Sequence, residues 1–74
     1  MKHRIIETDY GTYRVERKTC PVAGSFIEVY EVNTDQDVNE LNYVGDSDDT
    51  DLAKMTPEDV MKIIRYNHYL ARWF

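Results

Sequence analysis

The sequence predicts an α+β domain: a three-stranded antiparallel sheet, arranged as a meander and open to a fourth strand, packed by one C-terminal α-helix. Three observations predict it. Segments with strand-like alternation and strand-forming residues fill the first half of the chain. A full set of helix start signals stands at Thr56-Pro57-Glu58-Asp59, and a 3.6-residue apolar period follows it. The strands come first and the helix last, which puts the helix on one face of a single sheet. With 74 residues there is room for one domain, 1–74.

Residues 4–8 read as the first strand. Asp9-Tyr10-Gly11 supplies turn chemistry, with Gly11 available for a positive φ. Residues 12–18 form the second strand, with Tyr13 and Val15 pointing one way and Arg14, Glu16 and Lys18 the other. Residues 19–24 read as a loop punctuated by Pro21 and Gly24. Residues 25–32 give the strongest strand, since Phe26, Ile27, Val29, Tyr30 and Val32 are all strand formers. Its apolar residues fall on both faces, as in a central strand or one with a partly covered outer face. A turn is expected at 33–36. Residues 40–44 are the optional fourth strand, with Leu41 and Tyr43 on one face, and a loop is expected from Gly45 to Asp51.

The helix is expected over about 57–73. Thr56 is its N-cap, Pro57 its first residue, and Glu58 and Asp59 complement the dipole. Met55 is spaced to staple onto Val60. Val60, Ile63, Ile64, Asn67, Leu70, Ala71 and Phe74 share one face. Burial of the large apolar ones contributes roughly 1.5–3 kcal/mol each. Asn67 interrupts this stripe and is expected to hydrogen-bond a strand or loop. The opposite face carries Lys62, Arg65, His68, Tyr69 and Arg72.

The net charge of −5 conceals a strong segregation. Residues 1–18 and residues 54–74 each carry +2. Between them, residues 19–53 hold nine acids and no Lys or Arg. A field of that sign repels nucleic acid and speeds encounters with basic surfaces. Paired acids two residues apart on an extended chain stand about 6.6–6.8 Å apart, an approximate match to neighbouring phosphates. Asp35/Asp37, Asp46/Asp48 and Asp49/Asp51 have that spacing.

Several chemistries find no support. An EF-hand counted from Asp46 would need Gly and Glu where Asp51 and Pro57 stand. His3 and His68 lie at opposite ends of the chain. Cys20 has no partner for a disulfide, and no nearby base is expected to lower its pKa. No phosphate loop or nucleophile elbow is present. No metal and no cofactor is implied, and the sequence points away from an enzyme. The single cysteine, and the lack of an apolar run fit for a signal peptide or a membrane span, point to the cytoplasm.

The sequence therefore favours a small acidic protein-interaction module that binds, and inhibits, a basic protein that handles nucleic acid. Its contact residues would be Asp35, Asp37, Asp46, Asp48, Asp49 and Asp51, with Tyr43 as an aromatic anchor. In size and charge it is comparable to accessory proteins of phages and other mobile elements, such as nuclease inhibitors and anti-CRISPR proteins; that is an analogy and not a family match. The alternative is a nucleic-acid-binding module using Lys62, Arg65, Tyr69 and Arg72. A homo-oligomer that joins the basic helix face of one copy to the acidic lobe of another is compatible with the first reading.

Overall fold

A computed structural model describes residues 3–32, 41–48 and 51–71, the last three of these by their backbone alone. The strands are β1 (His3–Thr8), β2 (Gly11–Cys20), β3 (Gly24–Val32) and β4 (Leu41–Ser47). A single 3₁₀ turn, Leu52–Lys54, leads into α1, Pro57–Ala71. The four strands form one antiparallel sheet in the order β1-β2-β3-β4. This is the predicted meander with its fourth strand present and one helix packed against it.

Two hairpins are tighter than their sequences suggest. Asp9 and Tyr10 alone join β1 to β2, and the positive φ falls on Gly11, at 142°. Between β2 and β3 the ladder continues to Cys20 opposite Gly24, so the expected six-residue loop shrinks to Pro21–Ala23. Gly24, at φ 82°, takes the left-handed conformation that closes such three-residue loops.

β4 corrects a second boundary. It runs through Gly45 to Ser47, where a loop was expected. Val29 pairs with Gly45 and Tyr30 with Tyr43, which leaves Val44 as the extra residue of a bulge. The glycine is there for space. A Cβ on Gly45 would stand 2.5 Å from Asn67 Nδ2 and 3.2 Å from Ile63 Cγ2. The helix therefore lies directly on β4 at this point. Asn67 uses the closeness, donating from Nδ2 to the Asp46 carbonyl at 3.3 Å and to the Ile63 carbonyl at 2.9 Å. This is the strand contact expected of a polar residue in the apolar stripe.

The core lies between the sheet and the helical layer. Ile6, Tyr13, Val15, Ile27 and Val29 come from the inner sheet face, and Leu52, Met55, Val60 and Ile63 from above it. Val44, Met61 and Ile64 pack around them. The helix start is built as the sequence indicates. Thr56 Oγ1 accepts from Asp59 N at 3.2 Å, and Thr56 N donates to Asp59 Oδ2 at 2.9 Å, a reciprocal cap. Both Met55 and Val60 are buried, as a staple requires.

The turn expected at 33–36, residue 40, and the helix end at 72–74 lie outside the described residues, as do the side chains of Leu70 and Ala71. No helix among the described residues is long and apolar enough to cross a membrane.

Candidate functional site

Strand register decides which side chains meet on the outer face of the sheet. His3 faces Glu16 and Ile5 faces Arg14 across β1 and β2. Arg14 faces Tyr30, Glu16 faces Glu28 and Lys18 faces Phe26 across β2 and β3. Glu28 then faces Asp46, and Tyr30 faces Tyr43, across β3 and β4. The helix and the 3₁₀ turn supply the other layer of the core. No described element packs on the outer face.

Charge on this face is distributed unevenly. Glu16 is neutralised from both sides along its own strand: its Oε1 is 2.6 Å from Arg14 Nε and its Oε2 is 3.1 Å from Lys18 Nζ. The Arg14 N–H is not aimed for a hydrogen bond, so that contact is an ion pair only. Among the described residues, Glu28 and Asp46 have no such cation. Tyr30 donates its hydroxyl to Glu28 Oε2, and Tyr43 hydrogen-bonds Asp46. The two rings meet edge to face, with centroids 5.7 Å apart and planes at 70°.

These contacts shift both phenols in one direction. The hydrogen bond to Glu28, then partial burial and nearby acids, push Tyr30 up to about 12. Partial burial, then the Asp46 hydrogen bond and acidic neighbours, push Tyr43 up to about 12. Even so, Tyr43 is 53% exposed.

The predicted contact residues are only partly brought together. Tyr43 and Asp46 share the outer face, and Asp48 is exposed in the bend just past β4. Asp51 has a structural task. Its carboxylate accepts from Ala53 N at 3.0 Å and caps the 3₁₀ turn, with Arg17 at 3.8 Å and Lys54 at 3.9 Å. Asp35, Asp37 and Asp49 lie outside the described residues.

The basic helix face is hemmed in by acids. Lys62 lines an open groove of about 390 Å³ with Asp46, Asp48 and Tyr66. On its other side, Lys62 and Arg65 share a wider groove with Glu7, Asp9 and Glu58. The Tyr69 side chain and Arg72 lie outside the described residues.

Sequence reasoning missed three contributors. Alternation sets Glu28 and Tyr30 on one face of β3, but that this is the face of Glu16 follows only from the register of β2 with β3. In the sequence Arg4 is one of the bases behind the +2 charge of residues 1–18. In the fold its Nη1 donates to the carbonyls of Leu52, at 2.6 Å, and Met55, at 3.1 Å, and so pins the 3₁₀ turn to β1. Cys20 also differs from expectation: the backbone amides of Ala23, and then Val22, hydrogen-bond its sulfur and hold its pKa below the ordinary thiol value. Among the described residues, no three His, Cys, Asp or Glu side chains converge as a metal site would require.

No protein family model matches the chain, and neither a curated protein nor a solved structure matches it.

Proposed function

We propose that this chain is a protein-interaction module that docks on a basic surface of a partner protein through its β3–β4 side and the acidic segment flanking it. The observation that carries the reading is the pairing of Glu28 with Asp46 beside two tyrosines, on a sheet face that no described element covers. An unneutralised acidic face steers diffusion toward basic surfaces and fixes register on contact. Exposed tyrosines supply contact area at little entropic cost. Proteins that bind nucleic acid carry such basic surfaces to neutralise phosphates. A module of this charge that occupies that surface competes with nucleic acid and so inhibits, in the manner of small accessory proteins of mobile elements.

The grooves around Lys62 and Arg65 weigh against direct nucleic-acid binding by the helix. Each places carboxylates beside the cations, and phosphates approaching there meet repulsion.

The test is affinity capture from lysate, with and without nuclease. Wild-type bait is run beside bait with Asp46, Asp48, Asp49 and Asp51 changed to Asn. Asparagine keeps the acceptor that caps the 3₁₀ turn, because Asn and Asp cap about equally well. The expected result is a basic protein retained by the wild type, regardless of nuclease, and lost from the variant. Equal retention by both baits, or retention of nucleic acid alone, contradicts the proposal.

A further inference from the structure

We propose that the uncovered sheet face receives an arginine side chain of the docked partner, at the cluster formed by Glu28, Asp46, Tyr30 and Tyr43. The inference rests on the docking reading above and supplies the chemistry of its central contact.

Three carboxylates cross the outer face in one row, because Glu16 stands opposite Glu28 and Glu28 opposite Asp46. Like charges placed directly opposite destabilise a strand pair. The chain neutralises only the first of the three, through Arg14 and Lys18. Among the described residues, no Lys or Arg lies within ion-pair distance of Glu28 or Asp46. Their partners are the hydroxyls of Tyr30 and Tyr43, which orient the carboxylates but leave their charge in place. Folding therefore retains a local repulsion that a cation from outside would relieve.

The adjoining row decides which cation fits. Tyr30 and Tyr43 stand one step along the strands from the two carboxylates, their rings in edge-to-face contact. A guanidinium is planar, stacks on a phenol face and offers a fork of N–H donors to a carboxylate. A lysine ammonium is a compact, strongly hydrated charge that uses the carboxylates and gains less from the rings. A second copy of this chain is a poorer occupant, since Arg14 is already paired with Glu16 and the helix arginine Arg65 lines a groove that holds Glu7, Asp9 and Glu58.

The cluster carries a signature that separates it from a structural network. Neutralising Glu28 removes a repulsion, so Glu28→Gln raises the thermal midpoint while it weakens arginine binding. Glutamine keeps an acceptor for Tyr30. A network kept for stability would lose on both counts.

The probes are two capped hexapeptides, all arginine and all lysine, titrated into the isotope-labelled protein at about 50 mM salt, where the screening length exceeds 10 Å. Chemical shifts of the tyrosine rings and of the carboxylate side chains are followed. The arginine peptide is expected to shift Tyr30, Tyr43, Glu28 and Asp46 together and to bind severalfold tighter than the lysine peptide. The double variant Glu28→Gln/Asp46→Asn is expected to lose about tenfold in affinity for the arginine peptide. A charge-matched control, Glu31→Gln/Glu58→Gln, removes two acids elsewhere and is expected to lose far less.

Equal affinity for the two peptides, equal loss in both double variants, or shifts centred on Asp48 and its neighbours would overturn the arginine site and leave the docking reading standing. So would absence of binding to either peptide, or sedimentation showing a dimer that only the cluster variant abolishes. The docking reading fails separately, in the lysate capture above.

Discussion

Arg4 shows how far one residue's role can depart from its apparent one. It sits in register with Val15, so its Cβ points inward on an edge strand. Its long stem then carries the guanidinium over the core to two carbonyls of the 3₁₀ turn. Hydrogen bonds from a charged donor contribute about 1.5–3 kcal/mol each. We expect Arg4→Met, which keeps the stem and removes the donors, to lower stability by about 2 kcal/mol in urea unfolding. A loss near zero would mean that water replaces the guanidinium at no cost. The tyrosine pair makes a second prediction at this scale. A folded pKa near 12 lies above the ordinary phenol value of about 10, so the folded state holds these protons more tightly than the unfolded chain. The associated stability is intact below about pH 10 and is lost as pH rises toward 12. Ultraviolet titration of wild type beside Tyr30→Phe and Tyr43→Phe is expected to show each variant missing one late phenolate step. Steps missing near pH 10 instead would contradict the hydrogen bonds to Glu28 and Asp46.

At the scale of elements, the helix start was legible because every signal in it is local. Thr56, Pro57, Asp59 and the staple residues Met55 and Val60 lie within six consecutive positions, and no distant contact is needed to read them. We expect Thr56→Ala to cost about 1 kcal/mol, the usual cost of a lost N-cap, measured by denaturant unfolding. Asp59 extends this to pH. The Thr56 backbone N–H, and then its hydroxyl, hold the Asp59 carboxyl below its ordinary value. Its contribution is therefore full above about pH 4 and is lost as pH falls through the lowered folded value. The stability gap between wild type and Asp59→Asn is expected to narrow on acidification; a constant gap would contradict the cap. β4 was harder to read, because its decisive residue is explained by a partner 22 positions away. Glycine in isolation signals a turn, whereas Gly45 continues a strand so that Asn67 can lie against it. We expect Gly45→Ala to displace the Asn67 amide and cost about 1–3 kcal/mol, as overpacking does. Pairing it with Asn67→Ala should recover part of that loss, since the clash is with the amide.

Over the whole molecule, the alternation of β2 and the apolar period of α1 are enough to predict the class of fold. The candidate site was less legible. The excess of acid in residues 19–53 marked the region, but which acids share a face depends on the Val44 bulge and on the register of β3 with β4. The sequence therefore does not single out Glu28 among the nine acids, and it does not show that Asp51, an expected contact, also caps a turn. The same register explains why net charge alone misleads. Of the four described bases in residues 1–18, Arg4 is bound to backbone carbonyls, Arg14 and Lys18 to Glu16, and Arg17 lies beside Asp51. Internal pairing thus leaves the outer side of β3 and β4 as an acidic surface. The most direct test of docking through that side is a comparison of two baits in one capture experiment, at low and high salt. One bait carries Glu28→Gln, Asp46→Asn and Asp48→Asn; the other carries Lys62→Gln and Arg65→Gln on the helix. The acid-neutralised bait is expected to lose the basic protein that the wild type retains at low salt, and the helix bait to retain it. Loss of the captured species by the helix bait, with the acid-neutralised bait unaffected, would contradict docking through the acidic face.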